Sequence, residues 1–93
     1  MTINYINGIM ISPNQERFKM MPLSAMPVNQ TVSIVEIRGS RPFRRRLQEL
    51  GFVPGTPLSI VGVAPLGDPL EVDIRSSRFS LRREEAASLI VRL

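Results

Sequence analysis

The sequence predicts a mainly β domain: a small barrel of five short strands, with one inserted α-helix at about 42–50 and a short helical turn near 83–87. Three observations carry this reading. Two segments rich in β-branched residues, 31–38 (TVSIVEIR) and 58–64 (LSIVGVA), alternate in one phase and then slip into the other. Such a slip marks a bulge, a strong bend, or burial on both faces, and two bent strands in a short chain favour a curled sheet. Between them lies the one segment with a clear helical period, and both of its ends are punctuated.

Taken in order, residues 1–30 hold all five methionines, with Pro13, Pro22, Pro27 and Gly8, and sustain neither period. Residues 1 to about 20 are expected to form a mobile or loosely packed leader, although Ile3, Tyr5, Ile6, Ile9, Met10 and Ile11 are apolar enough to dock on something. Met20, Met21 and Met26 are soft ligands in type, but flexible apolar filling is the reading preferred over a copper site. Residues 23–30 approach the first strand, 31–38. Gly39 and Ser40 end it, Ser40 or Arg41 caps the helix, and Pro42 suits the first turn, where a missing N–H costs nothing.

Phe43, Leu47 and Leu50 recur at i, i+4 and i+7 and so share one helix face. Leu47 and Leu50 are expected to hold the helix on the barrel. Arg44, Arg45 and Gln48 fall on the far side, and Arg46 lies beside the apolar stripe with its methylenes along the core edge. Gly51 stands where a residue of positive φ closes a helix. Phe52 and Val53 return to the core, and Pro54-Gly55 predicts a type II turn. After the second strand, 64–69 (APLGDP) is a loop. Segment 70–75 (LEVDIR) alternates cleanly, with Leu70, Val72 and Ile74 inward. Ser76-Ser77 is the expected connection, Phe79 and Leu81 continue as a strand, and Leu89, Val91 and Leu93 form the last one, with Ile90 ambiguous in phase.

Charge is concentrated. Arg38, Arg41, Arg44, Arg45 and Arg46 set against Glu49 account for the whole formal charge of +4. The 93 residues contain neither histidine nor cysteine. That removes the commonest general base, the commonest transition-metal ligand, thiolate metal sites and disulfides. No phosphate-cradling loop occurs. Asp68, Glu71 and Asp73 are oxygen ligands in type, but alternating charge on the wet face of a strand accounts for them. Catalysis and a resident cofactor are not expected. The arginine cluster has three readings: a solvated face, a phosphate-reading surface, or a docking surface for an acidic protein. Aromatic residues for base stacking are scarce, which weighs against the second.

The run from Arg41 to Val91 resembles the FeoA family, the small cytosolic component of bacterial ferrous-iron uptake. The resemblance rests on the RL-x-E-L-G-F-x-P-G-T pattern (Arg46, Leu47, Glu49, Leu50, Gly51, Phe52, Pro54, Gly55, Thr56), the APLGDP loop and the SLRREEA segment at 80–86. It implies an SH3-like domain at 22–93 behind a leader at 1–21. It implies a non-enzymatic accessory or regulatory protein of ferrous-iron transport that docks on the cytosolic part of FeoB, a membrane transporter with a GTP-binding domain. Arg44, Arg45 and Gln48 are the expected contacts, with Leu66 and Asp68 of the loop as a second candidate surface. Leu47, Leu50, Gly51, Pro54 and Gly55 are expected to be structural. Nucleic acid is the alternative partner. An Fe²⁺ carrier, the transition-metal-binding reading, has only carboxylates and carbonyls to work with. No signal peptide or spanning segment is evident, so a cytoplasmic location without membrane insertion is expected.

Overall fold

The computed structural model describes residues 4–6, 9–11 and 20–93. It contains eight strands: β1 (Asn4–Ile6), β2 (Ile9–Ile11), β3 (Met20–Pro22), β4 (Thr31–Ile37), β5 (Pro57–Val63), β6 (Leu70–Ile74), β7 (Ser77–Leu81) and β8 (Leu89–Arg92). Helix α1 is Arg41–Glu49, and a single turn, α2, is Arg83–Ala86. A 3-10 turn covers Leu23–Ala25. Strands β1 and β2 pair with each other, and the other six form one antiparallel sheet in the order β3-β8-β4-β5-β6-β7. Much of the expected mobile leader lies outside the described residues.

All five expected strands form, and the fold is mainly β as the sequence predicts. A sixth strand comes from the leader side: Met20–Pro22 pairs antiparallel with β8 through Met20↔Arg92, Met21↔Val91 and Pro22↔Ile90. The phase ambiguity of β8 reflects burial on both faces: Leu89, Ile90 and Val91 are all buried, while Leu93 is exposed. The hydrogen-bonded ladder does not close on itself. Strands β3 and β7 remain its edges, so the curled sheet keeps two free borders rather than none.

Both phase slips are bulges. The β4–β8 register shifts between Ile34 and Glu36, and the β5–β6 register shifts between Ile60 and Gly62. Before each shift the inward residues, Val32 and Ile34, then Leu58 and Ile60, are buried. After it the strand turns away, and Val63 is exposed. The core joins these four to Leu23, Leu47, Phe52, Leu70, Val72, Ile74, Leu81, Ala86, Leu89 and Val91.

The β6–β7 hairpin differs from expectation by one residue. Its two-residue loop is Arg75-Ser76, since Ile74 pairs with Ser77. Arg75, expected as an outward strand residue, takes φ +55°. Only the first central residue has positive φ, as in a type II′ turn. The strained arginine conformation is held by the sheet on one side, and its side chain lies across Gly51 at the end of α1. A guanidinium there sits beside the negative pole of the helix.

Asp73 and Arg78 face each other next to this turn, with Nε donating to Oδ1 at 2.7 Å and Nη2 to Oδ2 at 3.2 Å. The hydrogen bond from Arg78 holds the Asp73 carboxyl below its ordinary value. A depressed carboxylate stabilises the fold above its unfolded pKa, and that contribution disappears as pH falls through the lower, folded value. NMR titration of the Asp73 carboxyl should therefore show a midpoint below that of an ordinary aspartate. Arg78→Gln should raise it; a midpoint unmoved by that substitution would refute the assignment.

Candidate functional site: the α1 face, the 64–69 loop and the groove between

Helix α1 is built by its own ends. Ser40 accepts a hydrogen bond from the Phe43 N–H at 3.3 Å, so of the two expected caps it is the serine that serves. At the other end the Phe52 N–H donates to Leu47 O at 2.9 Å and the Gly51 N–H to Gln48 O at 3.0 Å, which is a Schellman motif with Gly51 at φ +105°. Pro54-Gly55 then makes the expected turn, with Gly55 at φ +88° and the Thr56 N–H donating to Val53 O at 3.1 Å. The Gly55 N–H reaches Ile34 O at 2.7 Å, so this turn is tied to β4 before β5 begins.

Leu47 alone in α1 is fully buried, and Phe43 packs partly against the core. Leu50, expected as a second anchor, is 44% exposed. It shares the azimuth of Leu47 but sits at the C-cap, beyond the edge of the core. Arg46, expected along the core edge, lies over the Phe43 ring at 5.8 Å and forms an ion pair with Glu85 of α2. It joins the two helices and is not part of the free basic face.

That face consists of Arg41, Arg44, Arg45 and Gln48, which line one shallow depression and are all exposed. Arg45 approaches Glu49 at 3.5 Å with both side chains largely in solvent, a contact worth little. Among the described residues, Arg41 and Arg44 have no carboxylate within ion-pair distance. None of the described phenylalanines is exposed, and Phe79 packs on Phe52 with centroids 5.5 Å apart. The helix face therefore offers guanidinium groups without a stacking platform.

The 64–69 loop closes through the Ala64 N–H to Pro69 O at 3.0 Å and the Gly67 N–H to Ala64 O at 2.7 Å. Leu66 stands at its tip, 97% exposed. Asp68, expected as a partner contact, has a local task. Its Oδ1 accepts from the Arg83 N–H at 2.9 Å at the start of α2. The Arg83 guanidinium donates to Gly67 O at 2.9 Å and to Ser24 O at 3.0 Å, pinning the loop and the 3-10 turn to α2. Residues 15 and 59 positions apart meet here, so no local pattern announces the cluster.

The basic face and the loop tip do not share a cleft. Between them runs a groove of about 640 Å³, lined among others by Leu50, Pro69, Phe79, Ser80 and Arg82. Sequence reasoning missed it because its walls come from α1, the loop, β7 and the start of α2. Among the described residues no group of three carboxylates, histidines or cysteines can hold a metal ion, and no helix is long and apolar enough to cross a membrane.

A family model described as the FeoA domain matches residues 21–93. A relative from Porphyromonas gingivalis, an Fe(2+) transport protein A/Fe(2+) transporter FeoB fusion protein, is 41% identical over 73 residues, which are 78% of this chain and 9% of that protein. The solution structure of a FeoA protein from Chlorobium tepidum superimposes with TM-score 0.75 at 34% identity, over 78% of this chain and 70% of the other. The zinc-complexed crystal structure of FeoA from Stenotrophomonas maltophilia, described as a prokaryotic SH3 domain protein, gives 0.68 at 35% identity, over 76% and 88%. The sheet described above is thus of the SH3-like kind.

Proposed function

This chain belongs to the FeoA family, and from that premise we propose that it is a non-enzymatic accessory protein of ferrous-iron transport, working in the cytoplasm by docking on the cytosolic part of a FeoB-like transporter. The observation that carries the reading is the relative in which the two proteins are one polypeptide. A fusion keeps two folded units at high effective concentration, which suits units that work in contact. The chain spans 9% of that relative, and its own part in the process is taken to be the domain's.

The basic face of α1 meets the transporter. Arg41 and Arg44 are exposed guanidinium groups with no carboxylate within ion-pair distance among the described residues, so an acidic surface gains contacts there without breaking any of those described. Gln48 adds a neutral polar contact on the same face. Leu66, at the loop tip, is an apolar contact at the periphery, while Asp68 acts through the loop it holds in place. The absence of histidine and cysteine from the sequence supports a binding role over a catalytic one.

Arg44→Glu combined with Arg45→Glu tests the reading. Both side chains are exposed, so thermal unfolding should be nearly unchanged. Affinity for the full-length FeoB-like transporter in lipid nanodiscs should fall by about tenfold or more at low salt, and by less at high salt. An affinity equal to the wild type at both salt concentrations would remove the helix face from the interface.

A further inference from the structure

We propose that β7 is a docking edge, which takes an extended polypeptide segment of the partner as an added antiparallel or parallel strand, with an apolar side chain of that segment seated in the groove beside it. The inference rests on the FeoB-like transporter being the partner. It adds a second surface, chemically unlike the basic helix face.

The argument begins with register. Strand β7 is the last in the sheet, hydrogen-bonded only to β6. Its pairs with β6 run Ile74↔Ser77, Asp73↔Arg78, Val72↔Phe79, Glu71↔Ser80 and Leu70↔Leu81, without a bulge. In a hairpin closed by a two-residue loop, the residues flanking the loop exchange both backbone hydrogen bonds, and bonded pairs then alternate with unbonded ones. Ser77, Phe79 and Leu81 therefore bond to β6. The N–H and C=O groups of Arg78 and Ser80 point the other way, to the free edge. Among the described residues no backbone or side-chain group bonds to them. Such a row of backbone groups is a template for one more strand.

The groove supplies what a bare edge lacks. It runs between β7 and the C-terminal half of α1, and its apolar lining includes Leu50, Pro69 and Phe79. Leu50 is the helix residue left without a core partner, and it is exposed where an incoming strand would lie. The charged lining of the groove, Arg46, Arg82, Glu84 and Glu85, sums to zero, and Arg46 and Glu85 form an ion pair. A strand with an apolar residue at the groove position gains burial and backbone hydrogen bonds together, and needs no net charge.

A second copy of this chain fits less well. Five residues make an edge only about 17 Å long, which by itself supplies a small part of the roughly 800 Å² per partner that a stable interface buries. An antiparallel pairing through Arg78 and Ser80 would centre on Phe79. It would bring the two Arg78 side chains diagonally across one face, and Arg78 is largely in solvent. A charge at the middle of an edge strand discourages self-pairing. A partner segment free to place another residue there has no such conflict.

Hydrogen exchange measured by mass spectrometry on the full chain, alone and with the full-length FeoB-like transporter in lipid nanodiscs, tests the proposal. Exchange in peptides covering residues 77–81 should slow by about tenfold or more on binding. Ser80→Pro removes the outward N–H while leaving the β6 ladder intact, and should weaken binding by about tenfold. Ser80→Ala keeps the N–H and loses only the side-chain bond to Glu71 (2.8 Å), so its affinity should stay within about threefold. Binding with no added protection at 77–81 would overturn strand addition and leave docking through α1 standing. No binding of the wild-type chain at all would overturn both. If Ser80→Pro does not fold, the exchange result decides alone.

Discussion

Leu47→Ala is expected to destabilise the domain by roughly 2–5 kcal/mol, the usual cost of truncating a fully buried leucine. Leu47 has no solvent exposure and is the one buried residue of α1. Its side chain is part of the buried core, so truncation loses the transferred methyl groups and leaves a cavity. Domains of this size have about 5–14 kcal/mol in total, so the variant should melt at least about 10 °C lower. Leu47→Met, which conserves volume, should cost less than about 1.5 kcal/mol. Leu50→Ala is the informative contrast. At 44% exposure Leu50 loses little on truncation, and under about 1 kcal/mol is expected. Equal losses at the two positions in thermal and urea unfolding would mean that the helix is held by a stripe and not by a single plug.

Gly51→Val is expected to cost about 1–3 kcal/mol through the backbone alone. Gly51 sits at φ +105°, a conformation that a β-branched residue adopts only under strain. Relieving the strain would break the bonds from the Gly51 and Phe52 N–H groups to Gln48 and Leu47, and would move Phe52, which is fully buried. An added side chain also meets the Arg75 stem, 4.0 Å from where a Cβ would stand. Gly51→Ala should fall toward the lower end of the range. Denaturant midpoints measure the difference; a valine variant as stable as the wild type would show that the helix exit can rearrange without the glycine.

Much of this fold could be read locally. The bulges at Val35 and Val61 are visible as phase slips because burial imposes a strict period of two, and one extra residue reverses it. The helix ends are visible because Ser40 and Gly51 answer local needs, a donor without a partner and a positive φ. Leu50 was misjudged because helical period reports azimuth and not depth: the residue points the right way from a position past the end of the core. The turn at Arg75-Ser76 was misplaced because neither residue has the intrinsic preference for positive φ that marks such loops. The β1–β2 pair did carry a signal, since Asn7-Gly8 stands between Ile6 and Ile9 and is a favoured hairpin dipeptide.

The strand number of the main sheet within one, the place and caps of the helix, the excess of positive charge on it and the family motif were determined by the sequence alone. Each is a matter of composition or of residues a few positions apart. The tertiary structure alone decided which groups were left over. It occupied Arg46 with Glu85 and Asp68 with the Arg83 backbone, left Arg41 and Arg44 without an acid among the described residues, and left Leu50 over a groove beside the outward amides of β7. A group becomes available for binding only when every possible partner in the folded chain is out of reach, and those distances run between elements far apart in sequence.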